Sequence, residues 1–228
     1  MSEFSVIIPT LQRAKELHEL VEMCAAHPRV LEVLVINNAP EPLSWESPKV
    51  RVLQQEENIY VNPAWNLGAR EARGKYLAIL NDDVLFDPAL FVKVARVLRL
   101  PGVGMIGSGR ECFEGNAGAS LCLRPVFERP HSYGVAMFMR RSHYRPIPEQ
   151  MRIFCGDDWL FQAQGAPNYR ITGFHMRTDM STTSGASVFN PVKDADVRWA
   201  HEHGVLSGRY KRRFGRPAAL LRRVRGAS

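Results

Sequence analysis

Residues 76–83 read Tyr76-Leu77-Ala78-Ile79-Leu80-Asn81-Asp82-Asp83, five mostly apolar residues running directly into an amide and two carboxylates. The apolar run has the length of a buried strand. Adjacent acidic side chains repel one another and resist burial, so a core strand that ends on such a pair usually has a cation to hold. The same residues also suit a solvated loop whose Asp caps the helix beginning near Pro88. The stretch alone leaves both arrangements open.

Working outward, the first hundred residues alternate short β-rich runs with helical ones, the pattern of an α/β fold with a largely parallel sheet flanked by helices. The spacing predicts strands over 4–9, 31–36, 49–54, 76–80, 103–107, 134–139 and 168–174. Helices are predicted over 14–26, where Leu17, Leu20, Val21 and Cys24 share a face, and over 62–73, with Ala64, Trp65, Leu67 and Ala72. A third covers 88–100, with Pro at its first turn and Leu90, Val94, Val97 and Leu98 along one side. A fourth opens at Gly156-Asp157-Asp158-Trp159-Leu160-Phe161. Between 108 and 131 the chain is rich in Gly, Pro and Arg and is expected to form an irregular excursion or small hairpin covering the site.

Ligands of open α/β sheets bind beyond the carboxyl ends of the parallel strands. The loops there are unusually polar: Pro9, Thr10, Gln12 and Arg13 after the first strand, Asn37-Asn38 after the second, Glu56-Glu57-Asn58 after the third and Asn81-Asp82-Asp83 after the fourth. Ordinary turn chemistry would account for one or two of these, not four in succession.

The chain has 228 residues, 45% hydrophobic and 23% charged, which suits one well-buried core. No segment approaches the roughly 18 unbroken apolar residues of a membrane span. The strand-like Phe4-Ser5-Val6-Ile7-Ile8 starts too early for a signal peptide, so a cytoplasmic location is expected. Cys24, Cys112, Cys122 and Cys155 are scattered without metal-binding spacing and are expected to be plain thiols. The net charge of +7 belongs to the end of the chain: residues 208–228 hold eight Lys or Arg and no acid, leaving 22 basic and 23 acidic groups elsewhere. Such a segment suits phosphates, an anionic membrane face, nucleic acid or plain solvation.

Taken together, these residues resemble the nucleotide-sugar-dependent glycosyltransferases of the GT-A fold, particularly the family-2 group and its rhamnosyltransferase-like branch. Val6-Ile7-Ile8-Pro9-Thr10 is similar to that family's first strand and nucleotide loop, and Val35-Ile36-Asn37-Asn38-Ala39 to the second, where the base is read. Asn58, Asn66, Gly68 and Gly74 fall where the family has its Asn-x-Gly helix, and Asn81-Asp82-Asp83 at the Asp-x-Asp position. Further on, 133–141 resembles the acceptor-side strand, 156–160 the Gly-Glu-Asp helix start, Phe174-His175-Met176 with Ser181 the late His of the metal site, and 210–215 the basic C-terminal segment. Asn37 and Asn81 depart from the pattern, each standing where an Asp is usual.

The resemblance implies a single GT-A (Rossmann-like) domain over 1–207, with a nucleotide-sugar half at 1–107 and an acceptor half at 108–207, followed by a basic tail at 208–228. It implies a metal-dependent, inverting hexosyl- or deoxyhexosyltransferase moving a sugar from a UDP-, dTDP- or GDP-linked donor to an acceptor hydroxyl on a glycan, lipid-linked glycan, protein or modified nucleic acid. Donor contacts fall on Pro9, Thr10, Arg13, Asn37, Asn38, Asn58, Asn66, Asn81 and Asp82, with Lys211, Arg212 and Arg213 as a lid over the diphosphate. Asp83 and His175 would hold Mg²⁺ or Mn²⁺, the imidazole favouring Mn²⁺. Asp158 would be the general base, with Asp157 capping its helix or bonding the acceptor. The tail from Arg216 onward is expected to meet an anionic acceptor, either a nucleic acid or lipid-linked sugar at the inner membrane face.

Two rivals come from other classes. A dehalogenase-like phosphoryl-transfer enzyme would need its aspartates after the first strand, not the fourth. A non-catalytic nucleic-acid- or anionic-surface-binding protein would use the tail but leave the polar strand ends unexplained. His201-Glu202-His203 is expected at the surface, since His residues two apart do not share a helix face.

Overall fold

A computed structural model of the chain describes residues 2–115, 118–178 and 189–215. The first four strands, β1 (Phe4–Thr10), β2 (Val30–Asn37), β3 (Val50–Gln54) and β4 (Tyr76–Leu80), lie in the spatial order β3-β2-β1-β4 and run parallel. Helix α1 (Leu17–Ala26) connects β1 to β2, and α2 (Val61–Glu71) connects β3 to β4. The chain therefore leaves β1 in one direction and returns on its other side at β4. That reversal opens a crevice beyond the carboxyl ends of β1 and β4.

The remaining elements extend the sheet. After β5 (Leu85–Phe86) and α3 (Ala89–Leu98) come β6 (Ile106–Ser108), β7 (Ala119–Val126), β8 (Ala136–Arg140), α4 (Gly156–Gln162), β9 (Asn168–Phe174), β10 (Met176–Arg177) and α5 (Asn190–Glu202). The eight-stranded sheet has the order β3-β2-β1-β4-β8-β6-β9-β7, with β8 and β7 antiparallel to their neighbours, while β5 and β10 form a separate antiparallel pair. This is the expected α/β domain with a mostly parallel sheet.

Strand residues alternate between two cores, as the two-residue period of a strand requires. Val6, Ile8, Val33, Val35, Ala78 and Leu80 pack with α1 and α3 on one face. Ile7, Leu34, Ile36, Leu77 and Ile79 pack with α2, α4 and α5 on the other. Both faces are covered, so the central strands read as nearly continuous apolar runs.

Four expectations need correction. Helix α1 begins at Leu17 rather than Ala14, because a bend at Gln12 and a turn at Lys15-Glu16 follow β1. The strand expected at 134–139 opens as a 3₁₀ turn, Tyr133–Val135, where the buried Tyr133 hydroxyl donates to the carbonyls of Met105 and Tyr169 at 2.9 and 3.0 Å. The 108–131 excursion contains the eight-residue edge strand β7, paired antiparallel to β9. That pairing joins segments about fifty residues apart, which local Gly and Pro signals do not reveal. Finally, the packed structure does not stop at 207: Tyr210 is buried, and a π-helical turn follows over Lys211–Gly215. The His201-Glu202-His203 triplet is exposed, as expected, with His203 stacked on Trp199 at 3.9 Å.

Candidate active site

The crevice at the β1/β4 switch is a cavity of about 480 Å³. Pro9, Thr10, Leu11, Asn38 and Asn58 form one wall, and Asn81, Asp82 and Asp83 lie at its base. The second half of the chain supplies the other wall with Arg129, His131, Ile153, Phe154, Cys155, Asp157 and Asp158, and Phe189 and Val197 also line the cavity. Two acidic pairs from opposite halves of the chain thus share one cleft.

On the strand-end wall, the loops are tied to each other before any ligand arrives. The Thr10 hydroxyl donates to Asp82 Oδ2 at 2.7 Å, joining the ends of β1 and β4. Thr10 Oγ1 also accepts the Gln12 N–H at 2.8 Å, where Gln12 takes a left-handed φ of 58°. Asn38 lines the cleft while its Oδ1 accepts the Ile59 N–H at 3.2 Å. Asn58 forms an Asx turn through the Tyr60 N–H at 2.9 Å, and Tyr60 has a φ of 69°. The Asn81 N–H donates to the Val135 carbonyl at 3.0 Å, seating the acidic turn against the facing wall.

The two carboxylates at the base differ. Burial, reinforced by the charge of Asp83 and opposed by the Thr10 hydroxyl, pushes Asp82 up to about 6. Asp83 is buried and accepts from the Thr178 hydroxyl at 2.9 Å. A cation beside them would offset their mutual repulsion, and the donor set is one of hard oxygens suited to Mg²⁺ or Mn²⁺. Two carboxylates fit such an ion together with oxygens from a ligand and water. No cluster of three or more His, Cys, Asp or Glu placed to hold a metal occurs among the described residues.

The facing wall is assembled by long-range contacts. Helix α4 starts at Gly156 after Cys155, whose φ of 58° turns the chain sharply into the helix. A Cβ at Gly156 would collide with the Asn62 side chain, and one at Gly134 would lie 2.8 Å from Asp157 Oδ2. Both glycines therefore allow the close approach that seats the acidic pair. Arg129 reaches across from beyond β7: its Nε donates to Asp158 Oδ1 at 2.6 Å, and its Nη1 lies 3.0 Å from Asp157 Oδ2. Asp157 Oδ1 accepts the Asp158 N–H at 3.0 Å. Burial pushes Asp157 up to about 6 against the pull of Arg129, and Asp158 adds to the rise.

The loop before α4 hangs on α5. Asp196, 1% exposed, accepts the N–H groups of Arg152, Ile153 and Phe154 at 2.8–3.1 Å. From α2, Asn62 donates to the carbonyls of Met151 and Phe154 at 3.2 and 3.1 Å. Arg129, Asn62 and Asp196 were not anticipated as parts of the site. Pro191 at the first turn of α5 was the available signal for that helix, whereas nothing local to Arg129 marks its partners.

Several expected site residues stand elsewhere. Asn37 is fully buried and every hydrogen-bonding position of its amide is used: Nδ2 donates to Glu41 O and Gln54 Oε1, and Oδ1 accepts from Gln12 Nε2 and the Ala39 N–H. It organises the loop and does not face the cleft. Asn66 is likewise engaged, clamping Tyr144 and both main-chain groups of Ile147 on the far side of α2. Arg13 is exposed and outside the lining. His175 is exposed between β9 and β10, and the β10–β5 register places it opposite Asp87, four residues beyond Asp83. The structure does not bring it into the cleft, so the argument for Mn²⁺ over Mg²⁺ loses its basis.

Lys211, Arg212 and Arg213 do not line the cleft either. Lys211 pairs with Glu128 at 2.6 Å, Arg212 donates to the Ser207 carbonyl at 2.7 Å and Arg213 lies over the Phe214 ring. Tyr210 anchors the turn, its hydroxyl donating to the Ala166 carbonyl at 3.0 Å. Ser181 and the tail from Arg216 onward lie outside the described residues. No helix among the described residues is long and apolar enough to cross a membrane.

Known proteins with the same architecture complete the picture. Among solved structures, S. aureus TarS residues 1–349 align with a TM-score of 0.59 at 15% identity, covering 94% of this chain and 73% of TarS 1–349. The same TarS segment in complex with UDP-GlcNAc gives a TM-score of 0.59 at 15% identity, with 93% and 73% coverage. At that identity the likeness establishes the GT-A fold. Among curated relatives, the uncharacterized glycosyltransferase YwdF of Bacillus subtilis is 25% identical over 190 residues, 74% of this chain and 70% of YwdF. An uncharacterized glycosyltransferase of Haemophilus influenzae is 27% identical over 129 residues, 54% of this chain and 44% of its own length. The uncharacterized protein y4gI of Sinorhizobium fredii is 30% identical over 118 residues, 51% of this chain but only 12% of y4gI. The chain thus spans less than half the length of two of these relatives. Residues 5–166 match the family described as Glycosyl transferase family 2, a span reaching from β1 through the Asp82-Asp83 turn and the Arg129–Asp158 contact to the end of α4, and the chain belongs to that family.

Proposed function

We propose that this protein transfers a sugar from a nucleoside-diphosphate sugar to an acceptor hydroxyl, with inversion at the sugar C1. The observation that carries this reading is the presence of two acidic pairs in one cleft, Asp82-Asp83 at the end of β4 and Asp157-Asp158 at the start of α4. The first pair suits the diphosphate side of the donor. A divalent ion held there by Asp83, with Asp82 beside it, would neutralise the negative charge that develops on the departing diphosphate. Asn38, Asn58 and Asn81 offer amides to the nucleoside, and Thr10 holds Asp82 in place.

The second pair suits the acceptor. As an acceptor oxygen attacks C1, Asp158 takes the hydroxyl proton while the C1–O bond to the diphosphate breaks and its electron pair leaves with phosphate oxygen. One base and one displacement invert C1. A hexose or deoxyhexose is the expected sugar, carried on UDP, dTDP or GDP.

Thermal-shift measurements with UDP-, dTDP- and GDP-linked sugars, with and without Mg²⁺ or Mn²⁺, test the reading. At least one donor is expected to raise the melting temperature more strongly with metal, and Asp83→Ala should abolish the metal-dependent part. Absence of any donor shift counts against the function. A full metal response in the variant removes Asp83 from the metal role.

A further inference from the structure

Four carboxylate oxygens of Asp157 and Asp158 sit side by side in the cleft wall, and their partners are unequal. Asp157 has both oxygens engaged, Oδ2 by Arg129 and Oδ1 by the Asp158 N–H. Asp158 Oδ1 accepts from Arg129 Nε at 2.6 Å. Among the described contacts, only Oδ2 of Asp158 has neither a hydrogen-bond nor an ion-pair partner. We propose that Arg129 is the positioning residue for the reaction's base: its guanidinium holds Asp157 and Asp158 together and leaves Asp158 Oδ2 as the oxygen that meets the acceptor hydroxyl.

The physical case rests on three features. Consecutive carboxylates repel, and a planar guanidinium can hydrogen-bond one while its charge pairs with the other, as Arg129 does with Asp158 through Nε and with Asp157 through Nη1. Arg129 is 21% exposed on its side chain, and the two aspartates 18% and 16%, so the pairing is shielded from the solvent that makes surface ion pairs weak. Arg129 also donates to its neighbour Pro130's carbonyl at 3.0 Å, fixing the guanidinium to its own backbone. The segment after edge strand β7 therefore contributes to the site through this contact, and an otherwise freely rotating carboxylate acquires one orientation. Misplacing a base by about 1 Å can reduce turnover by roughly 100-fold.

This proposal rests on the glycosyltransferase reading, and its test separates the two. Arg129→Ala and Arg129→Lys are compared with the native protein for UDP binding by calorimetry and for hydrolysis of UDP-GlcNAc with water as the acceptor, with GDP- and dTDP-linked sugars run in parallel. For Arg129→Ala, UDP affinity should stay within about twofold while kcat falls roughly 10- to 100-fold, with KM for the donor little changed. Added guanidinium ion should restore part of kcat in Arg129→Ala and none in Asp158→Asn. Arg129→Lys keeps a charge but lacks the fork and should fall between. A kcat within twofold of native, or a loss that guanidinium does not recover, overturns the role. Carboxyl NMR gives a readout independent of turnover: without Arg129, the Asp157 titration should move upward from about 6, and an unmoved titration overturns the contact itself. If the native protein binds and turns over none of these donors, the glycosyltransferase reading fails while the NMR result still decides the Arg129 contact.

Discussion

The two walls of the cleft are built by different means. The strand-end wall is made of loops that each emerge from a strand of one sheet, so the backbone ladder sets their spacing before side chains contribute. The opposite wall has no strand beneath its acidic pair. It is a loop and a short helix hung from side chains of three distant elements: Arg129 after β7, Asn62 on α2 and Asp196 on α5. A site can thus place one wall through the sheet and the other through a few polar anchors. The second construction concentrates the consequences of mutation in single residues.

The largest expected effect breaks the symmetry between the walls. Asp158→Asn should reduce transfer by roughly 100- to 10,000-fold, the usual contribution of general-base catalysis, while donor binding measured by calorimetry remains. An Asn variant with native transfer would exclude Asp158 as base. Next in size, Asp196→Ala leaves three amide groups of residues 152–154 without their acceptor, and should destabilise the fold by roughly 2–4 kcal/mol in urea titration. Asp196→Asn, which keeps one acceptor oxygen, should lose less. Equal, negligible losses for both would show that the wall before α4 does not depend on α5.

The smallest effect sharpens the electrostatic difference. Asp157 has a folded-state pKa raised to about 6 by burial, so between about pH 4 and 6 the native state retains a proton that the unfolded chain has released. Its contribution to stability is therefore present at low pH and lost as pH rises through that window. Asp157→Asn removes the titration, and the variant should gain stability relative to the native protein by roughly 1–2 kcal/mol on going from pH 4 to pH 7. Urea titrations at the two pH values measure this. A difference that shrinks with rising pH contradicts the assigned direction.

Legibility in the sequence divides along the same line. Thr10, Asn38, Asn58 and Asn81-Asp82-Asp83 were identifiable because a parallel strand announces itself as an apolar run and its ligand side as the next few residues. The same rule points to Asn37 and Asn66, which do not line the cleft. An amide in the right loop says nothing of whether its hydrogen bonds are already taken, and both are. His175 stood at a strand end too, but the β5–β10 register carries it past the cleft. Lys211–Arg213 had the charge for a diphosphate, yet Tyr210 packs the segment against the body away from the lining residues.

By itself, the sequence determined the α/β class, the succession of strands and helices through the first hundred residues, and the two acidic pairs, because periodicity and strand-end polarity are local properties of the chain. Only the tertiary structure decided which amides face the cleft, which strand borders the sheet and what holds the wall at the start of α4. Those outcomes depend on hydrogen bonds between residues tens of positions apart, such as Asp157 and Asp158 with Arg129, or residues 152–154 with Asp196. A side chain's partner is fixed by where the fold brings other groups, and no local pattern records that.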